Sequence, residues 1–172
     1  VAIPTETVYG LAANGLDETA VAGIFSAKNR PTFDPLILHV ASIEQAQSLC
    51  TEWPEMAEKL ARAFWPGPLT LILPKSDLVP DLTTSGQPTV GLRMPNNHLT
   101  LELLIQLPFP LAAPSANPFG YISPTQASHV NDQLGEKIDY ILDGGSCEVG
   151  LESTIVGLED GQVTVYRLGG LD

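Results

Sequence analysis

Pro35-Leu36-Ile37-Leu38-His39-Val40-Ala41-Ser42 decides the architecture. From Pro35 to Val40 every residue but His39 is apolar, the pattern of a short buried strand, and Ser42 is a capping residue for a helix running to about Cys50. The same strand-then-helix alternation extends outward in both directions. Upstream, Asp17 is an N-cap for a helix from Glu18 to about Lys28, in which Val21, Ile24 and Phe25 recur at helical spacing and which Pro31 stops. Before it, Thr5 to Leu11 reads as a turn or short strand, and Val1 to Pro4 as the end of a strand, with a further helix and turn expected ahead of Val1. Downstream, Pro54 sits in the first turn of a helix from Glu55 to about Phe64, closed by Trp65-Pro66-Gly67-Pro68. Leu69 to Leu73 and Thr89 to Arg93 are strands, Leu99 to about Gln106 is helical, and Pro110 to Ala113 is a strand. Pro114 to Pro124 is an irregular loop, and Thr125 caps a helix to about Leu134. Tyr140 to Leu142, Ser153 to Gly157 and Val163 to Arg167 finish as strands between glycine turns. No repeat, linker or low-complexity tract interrupts this order. The expectation is a single α/β domain over residues 1–172, a twisted mixed sheet of about seven strands with helices on both faces.

Composition narrows the function. Of 172 residues, 44% are hydrophobic and 16% charged, which excludes a disordered acidic tail. No run approaches the roughly 18 apolar residues of a membrane-spanning helix, and Val1-Ala2-Ile3-Pro4 has neither the basic nor the apolar region of a secretory leader. Cys50 and Cys147 lie far apart with no metal-binding spacing, so free thiols and a cytoplasmic setting are expected. Eight Lys and Arg against twenty Asp and Glu give a formal net charge of −12, a poor footprint for a general polyanion binder. Lys28, Arg30, Arg93 and Arg167 nevertheless each fall in a run with Gly or Pro within a few residues. Lys59, Arg62, Lys75 and Lys137 read as solvated surface charge. If the first four converge, they make a cationic pocket in a negative protein, suited to a small phosphorylated ligand.

The standard phosphate-loop, dinucleotide and nucleophile-elbow motifs are absent. His39, His98 and His129 lack metal spacing, so no protein metal site is expected. His39 reads either as a hydrogen-bonded core residue or as a site residue. Lys28-x-Arg30 reads either as plain helix termination, favoured by the helix dipole, or as a two-pronged phosphate clamp. Ala113-Pro114-Ser115-Ala116-Asn117, followed by Ser123 and Thr125, reads either as a capped turn or as a nest of hydroxyl, amide and backbone donors for phosphate oxygens. Asp143-Gly144-Gly145 and Gly150-Leu151-Glu152-Ser153-Thr154 place further small and hydroxyl residues at strand edges, and fifteen glycines and fifteen prolines fall largely in such loops. Open α/β sheets bind ligands there.

Pro4-Thr5-Glu6-Thr7-Val8-Tyr9-Gly10-Leu11, Lys28-Asn29-Arg30-Pro31 with Pro35 to Val40, Trp65-Pro66-Gly67-Pro68-Leu69-Thr70, Ala113 to Asn117 and Val149-Gly150-Leu151-Glu152-Ser153-Thr154-Ile155 occur in that order. Together they resemble the threonylcarbamoyl-AMP synthase family, the YrdC-type domain, across practically the whole chain. The resemblance implies a YrdC/RibB-like fold and a nucleotidyltransferase that joins L-threonine, bicarbonate and ATP into threonylcarbamoyl-adenylate, releasing pyrophosphate. The product would feed N6-threonylcarbamoyladenosine modification of tRNA through downstream transferase machinery, with at most a weak tRNA contact by this chain and no membrane. It implies catalytic roles for Lys28, Arg30, Ser115 and Asn117, and ATP contacts from Arg30, Asp34, Thr89, Ser115, Ser123 and Arg167 with Mg²⁺ on the triphosphate. It implies threonine contacts from Thr7, His39, Arg93, Ser153 and the backbone of Ala113. Asp34 stands where the family has Asn in an Asn-Pro-Leu run, and Phe119-Gly120-Tyr121-Ile122 replaces small and basic residues. Asp34 is expected either to face a metal or to cap a turn toward solvent. The linker and C-terminal domain of the family's long form are not expected in this chain. Two other readings stand beside it: a carbamoyl-adenylating domain of a hydrogenase maturation protein, and a non-catalytic RNA-binding module.

Overall fold

Asp17 accepts the backbone N–H groups of Thr19 and Ala20 and starts helix α1, Glu18–Lys28, so the cap and both ends agree with the sequence. The helix stops on Asn29, which is left-handed at φ 53°, two residues before Pro31. That turn lets Lys28 and Arg30 leave the helix end in different directions. The computed structural model describes residues 1–159 and 161–171. Its strands are β1 (Ala2–Ile3), β2 (Gly10–Leu11), β3 (Ala13–Asn14), β4 (Ile37–His39), β5 (Leu69–Pro74), β6 (Thr89–Arg93), β7 (Leu111–Ala112), β8 (Thr154–Glu159) and β9 (Gln162–Arg167). The remaining helices are α2 (Ile43–Ser48), α3 (Glu55–Phe64), α4 (Asp81–Thr84), α5 (His98–Gln106) and α6 (Ala127–Leu134).

β1 and β2 pair as a small two-stranded sheet, and the other seven strands form a mixed sheet in the order β3-β7-β4-β6-β5-β8-β9. β4 runs parallel to β6, and β5 parallel to β8, while the remaining neighbours are antiparallel. Side chains alternate between faces along each strand. One face carries Leu38, Leu69, Leu71, Leu73, Val90, Leu92, Ala112 and Val156, which join Val21, Ile24 and Phe25 of α1, Ala46 of α2 and Ala57 and Ala61 of α3 in the main core. The opposite face carries Leu111, which packs in a second cluster with Ile3, Ala113 and Leu104 of α5. Helices therefore lie on both faces. His39 is paired in register with both Leu111 and Arg93, so it shares the α5 face. Arg93 in turn neighbours Thr70, which pairs with Ile155, and Ile155 pairs with Arg167. A single register row thus carries His39, Arg93 and Arg167 across the part of that face α5 leaves uncovered.

Some local expectations fail for physical reasons. Tyr140 to Leu142 is no strand; it makes a single parallel bridge, Ala2 to Ile141. Pro54 is the N-cap of α3 rather than a first-turn residue. Gln126, not Thr125, caps α6, and Ser123 spends its hydroxyl on Glu152 instead of a helix end. β3 and α4, of two and four residues, are too short to show a period. Lys75 is not solvated: its ammonium donates to the Val79 carbonyl and pairs with Asp81 at 2.7 Å.

Candidate active site

The uncovered face forms the floor of a cleft of about 400 Å³. Gly91 keeps that floor open, because a Cβ there would meet the side chains of Ile72, Ile37 and Thr70 at 3.2–3.3 Å. All the candidate residues but one line this cleft: Thr7, Lys28, Arg30, Asp34, His39, Arg93, Ala113, Ser115, Asn117, Ser123, Ser153 and Arg167. Thr89, at the start of β6 and paired with Pro74, lies outside the lining. The four cations picked out by their Gly and Pro neighbours do converge. Fold topology brings Arg93 and Arg167 to the Lys28-x-Arg30 pair.

Lys28 is buried, and its ammonium donates to the backbone carbonyls of Ser115 and Asn117. Burial, then the charge of Arg30, lowers its pKa to about 8, while Glu152 and Asp34 pull the other way. Two of three N–H donors are taken, which leaves one for a ligand. Ser115 and Asn117 thus serve the site through backbone oxygens. The Asn117 amide nitrogen donates to the carbonyls of Pro118 and Tyr121 and braces the loop beside the cleft. Arg30 donates to the carbonyls of Asp34 and Pro35, and its NH2 pairs with the Asp34 carboxylate at 2.8 Å. Asp34 therefore faces a guanidinium, which is neither of the two expectations for it.

Arg93 is fixed at the floor by Glu6, whose Oε1 lies 2.6 Å from its NH2, and by the Gly67 carbonyl. Glu6 Oε2 accepts the backbone N–H of Asn96. Burial pushes the Arg93 pKa down and Glu6 opposes it. Arg167 donates to the carbonyl and hydroxyl of Ser153 and pairs with Glu152 at 2.8 Å, while Glu152 also accepts from the Ser123 hydroxyl. Ser153 shares a 2.8 Å hydrogen bond with Thr70, and Thr7 shares one of 2.9 Å with Thr5. Glu6 and Glu152 were missed in the sequence. Each lies inside a motif rich in small and hydroxyl residues, and the available signal was its charge: an arginine drawn into a cleft needs a counter-charge.

His39 is buried beside Arg93, and burial, then that charge, pushes its pKa down to about 3. Folding therefore requires a neutral imidazole. The unfolded chain takes up the proton at its ordinary 6.5, so this stability is complete above pH 6.5 and is lost as pH falls from there toward 3. Urea denaturation at pH 7 and pH 5 should record a loss of about 2 kcal/mol from this residue. His39→Gln should remove most of that loss; a variant as acid-sensitive as its parent would contradict a buried neutral histidine. Burial also pushes the Cys50 thiol up to about 12 and raises that of Cys147, so neither is a thiolate nucleophile.

The chemistry assembled here is anion capture in two adjoining places: a buried guanidinium among small hydroxyls, and a lysine with the largely buried Arg30 guanidinium and the more exposed Arg167 guanidinium beside the Ser123 hydroxyl. Among the described residues no group of three or more His, Cys, Asp or Glu converges to hold a metal. No helix among them is long and apolar enough to cross a membrane.

Comparison with known proteins identifies the family. The Sua5_yciO_yrdC family model, whose description reads "Telomere recombination", matches residues 1–169. The threonylcarbamoyl-AMP synthase of Pyrococcus abyssi (strain GE5 / Orsay) is 53% identical over 171 residues, covering 99% of this chain and 50% of the relative. That of Bacillus subtilis (strain 168) is 47% identical over 172 residues, covering 99% and 50%. The crystal structure of P. abyssi Sua5 complexed with L-threonine matches with a TM-score of 0.96 at 53% identity, covering 99% of this chain and 50% of that one. The chain spans about half the length of these curated relatives. By a family match over nearly its whole length, the chain belongs to the Sua5/YciO/YrdC family.

Proposed function

We propose that this domain is a threonylcarbamoyl-AMP synthase, a nucleotidyltransferase making threonylcarbamoyl-adenylate and pyrophosphate from L-threonine, bicarbonate and ATP. The observation that carries the reading is the meeting, in one cleft, of a floor arginine among small hydroxyls with the Lys28, Arg30 and Arg167 cations. The names of the P. abyssi and B. subtilis relatives, and the threonine bound by P. abyssi Sua5, support it.

In this mechanism Arg93, held by Glu6, takes the threonine carboxylate, while Thr7, His39, Ser153 and the Ala113 backbone surround the rest of the amino acid. The threonine amine adds to bicarbonate and loses water, giving a carbamate. A carbamate oxygen then attacks the α-phosphorus of ATP, and the bond to the β-phosphate oxygen breaks to release pyrophosphate. Such a displacement asks for alignment and charge neutralisation, which Lys28, Arg30, Arg167 and Ser123 are placed to give. The cleft carboxylates Asp34 and Glu152 are each engaged by an arginine, so the residues form no metal cage. Mg²⁺ is proposed to arrive on the triphosphate as part of the substrate, sharing its charge. A reducing cytoplasm suits the two free cysteines, and the adenylate would pass to a separate transferase acting on tRNA, with this acidic chain making only weak RNA contact.

The test is pyrophosphate release by the chain with threonine and bicarbonate omitted in turn; release that ignores either omission contradicts the proposal. The amino acid pocket makes a finer prediction. Serine, lacking one methyl, should react more slowly by a factor worth about 1–3 kcal/mol, whereas valine, lacking the hydroxyl, should leave buried polar groups unpaired and fail. Equal rates with threonine and valine would remove His39 and Ser153 from hydroxyl recognition.

A further inference from the structure

Each arginine of the cleft is matched by a carboxylate, but the pairs are not alike. The Glu6 and Arg93 side chains are 5% and 6% exposed, a fixed pair that cannot open without stranding a buried charge. The Glu152 and Arg167 side chains are 41% and 38% exposed, and a carboxylate so placed can turn into water at little cost. Arg167 does not depend on Glu152 for its position. Its Nε donates to the Ser153 carbonyl at 3.1 Å and its NH2 to the Ser153 hydroxyl at 3.3 Å. Glu152 takes up what remains: the NH1 group at 2.8 Å through one oxygen and the Ser123 hydroxyl at 3.1 Å through the other. A two-oxygen anion spanning a guanidinium and a hydroxyl makes the contacts that two phosphate oxygens would make. The charge of Glu152 also reaches Lys28 and Arg30, strengthening their hold on their protons.

We propose that Glu152 is a displaceable internal anion, occupying the Arg167 and Ser123 donors until a phosphate-bearing ligand takes them, and thereby setting how tightly the cleft holds such ligands. The inference rests on reading this end of the cleft as its phosphate site. Displacing Glu152 weakens every phosphate ligand by the same factor. A nucleotide keeps its other contacts and still binds, whereas free pyrophosphate, with little else to hold, falls below occupancy and leaves.

Calorimetric titration of the full chain with inorganic pyrophosphate tests this at low ionic strength, comparing the parent with Glu152→Gln. Glutamine keeps the size and one acceptor but removes the charge. Pyrophosphate should bind about tenfold more tightly to the variant, as expected for releasing a half-exposed charged pair, with the gain shrinking as salt is added. A folded variant binding pyrophosphate no more tightly than its parent, or binding none, overturns the proposal. If Glu152→Gln does not melt cooperatively, Glu152→Ala answers the same question, with the same gain expected and the same failure decisive. Binding is read without turnover, so the two readings fail separately. A chain that makes no adenylate yet shows the gain overturns the substrate assignment alone; one that makes adenylate without the gain overturns the role of Glu152 alone.

Discussion

Arg30→Ala should lower threonine-dependent pyrophosphate release about a hundredfold to a thousandfold, the range seen when one preorganised donor to developing charge is removed. Its melting temperature should move little, because among the described residues the Arg30 side chain bonds to the neighbouring Asp34 and Pro35, one of them a partly exposed carboxylate. Lys28→Met should lose turnover to a similar extent, but not with an unchanged fold. Lys28 is buried, and its loss strands the carbonyls of Ser115 and Asn117, each costing about 1–3 kcal/mol. The two prongs of one motif therefore separate under the same assay: one variant inactive and stable, the other inactive and unstable. Turnover near the parent's in Arg30→Ala, with melting unchanged, would remove the clamp from the reaction.

A second large effect is expected at the floor. Arg93→Ala should destabilise the domain by about 3–5 kcal/mol, because Glu6 is left charged, buried and uncompensated. Neutralising both partners in Glu6→Gln/Arg93→Met should recover most of that loss in chemical denaturation while threonine binding stays absent. A double variant no more stable than Arg93→Ala would mean that Arg93 matters to the fold through its contact with Gly67 and not through the ion pair.

How much of this could be read beforehand depends on how far apart the cooperating residues lie. The strand from Pro35, the Asp17 cap and the ends of α1 are local signals, and the structure keeps them. Lys28-x-Arg30 was legible as a cation pair, but not the left-handed Asn29 that sends one prong into the core and leaves the other at the edge. The Glu6–Arg93 pair joins residues 87 positions apart in the sequence, through a sheet register no local pattern encodes. Glu152 stands in a motif whose small neighbours carry the local signal, and its carboxylate role appears only once β8 and β9 place Arg167 beside it. Tyr140 to Leu142 shows the opposite failure: strand composition without a neighbour able to continue the ladder yields one bridge.

If one cleft joins threonine, bicarbonate and ATP, isotope tracing will find all three in a single product. The chain would be incubated with ATP, Mg²⁺, L-threonine and ¹³C-bicarbonate, and the nucleotide products resolved by mass. The expected product is an adenylate carrying both threonine and a single ¹³C, formed in step with pyrophosphate and absent from Arg30→Ala. An adenylate of threonine without the labelled carbon, or pyrophosphate released with no amino acid attached to AMP, would contradict it.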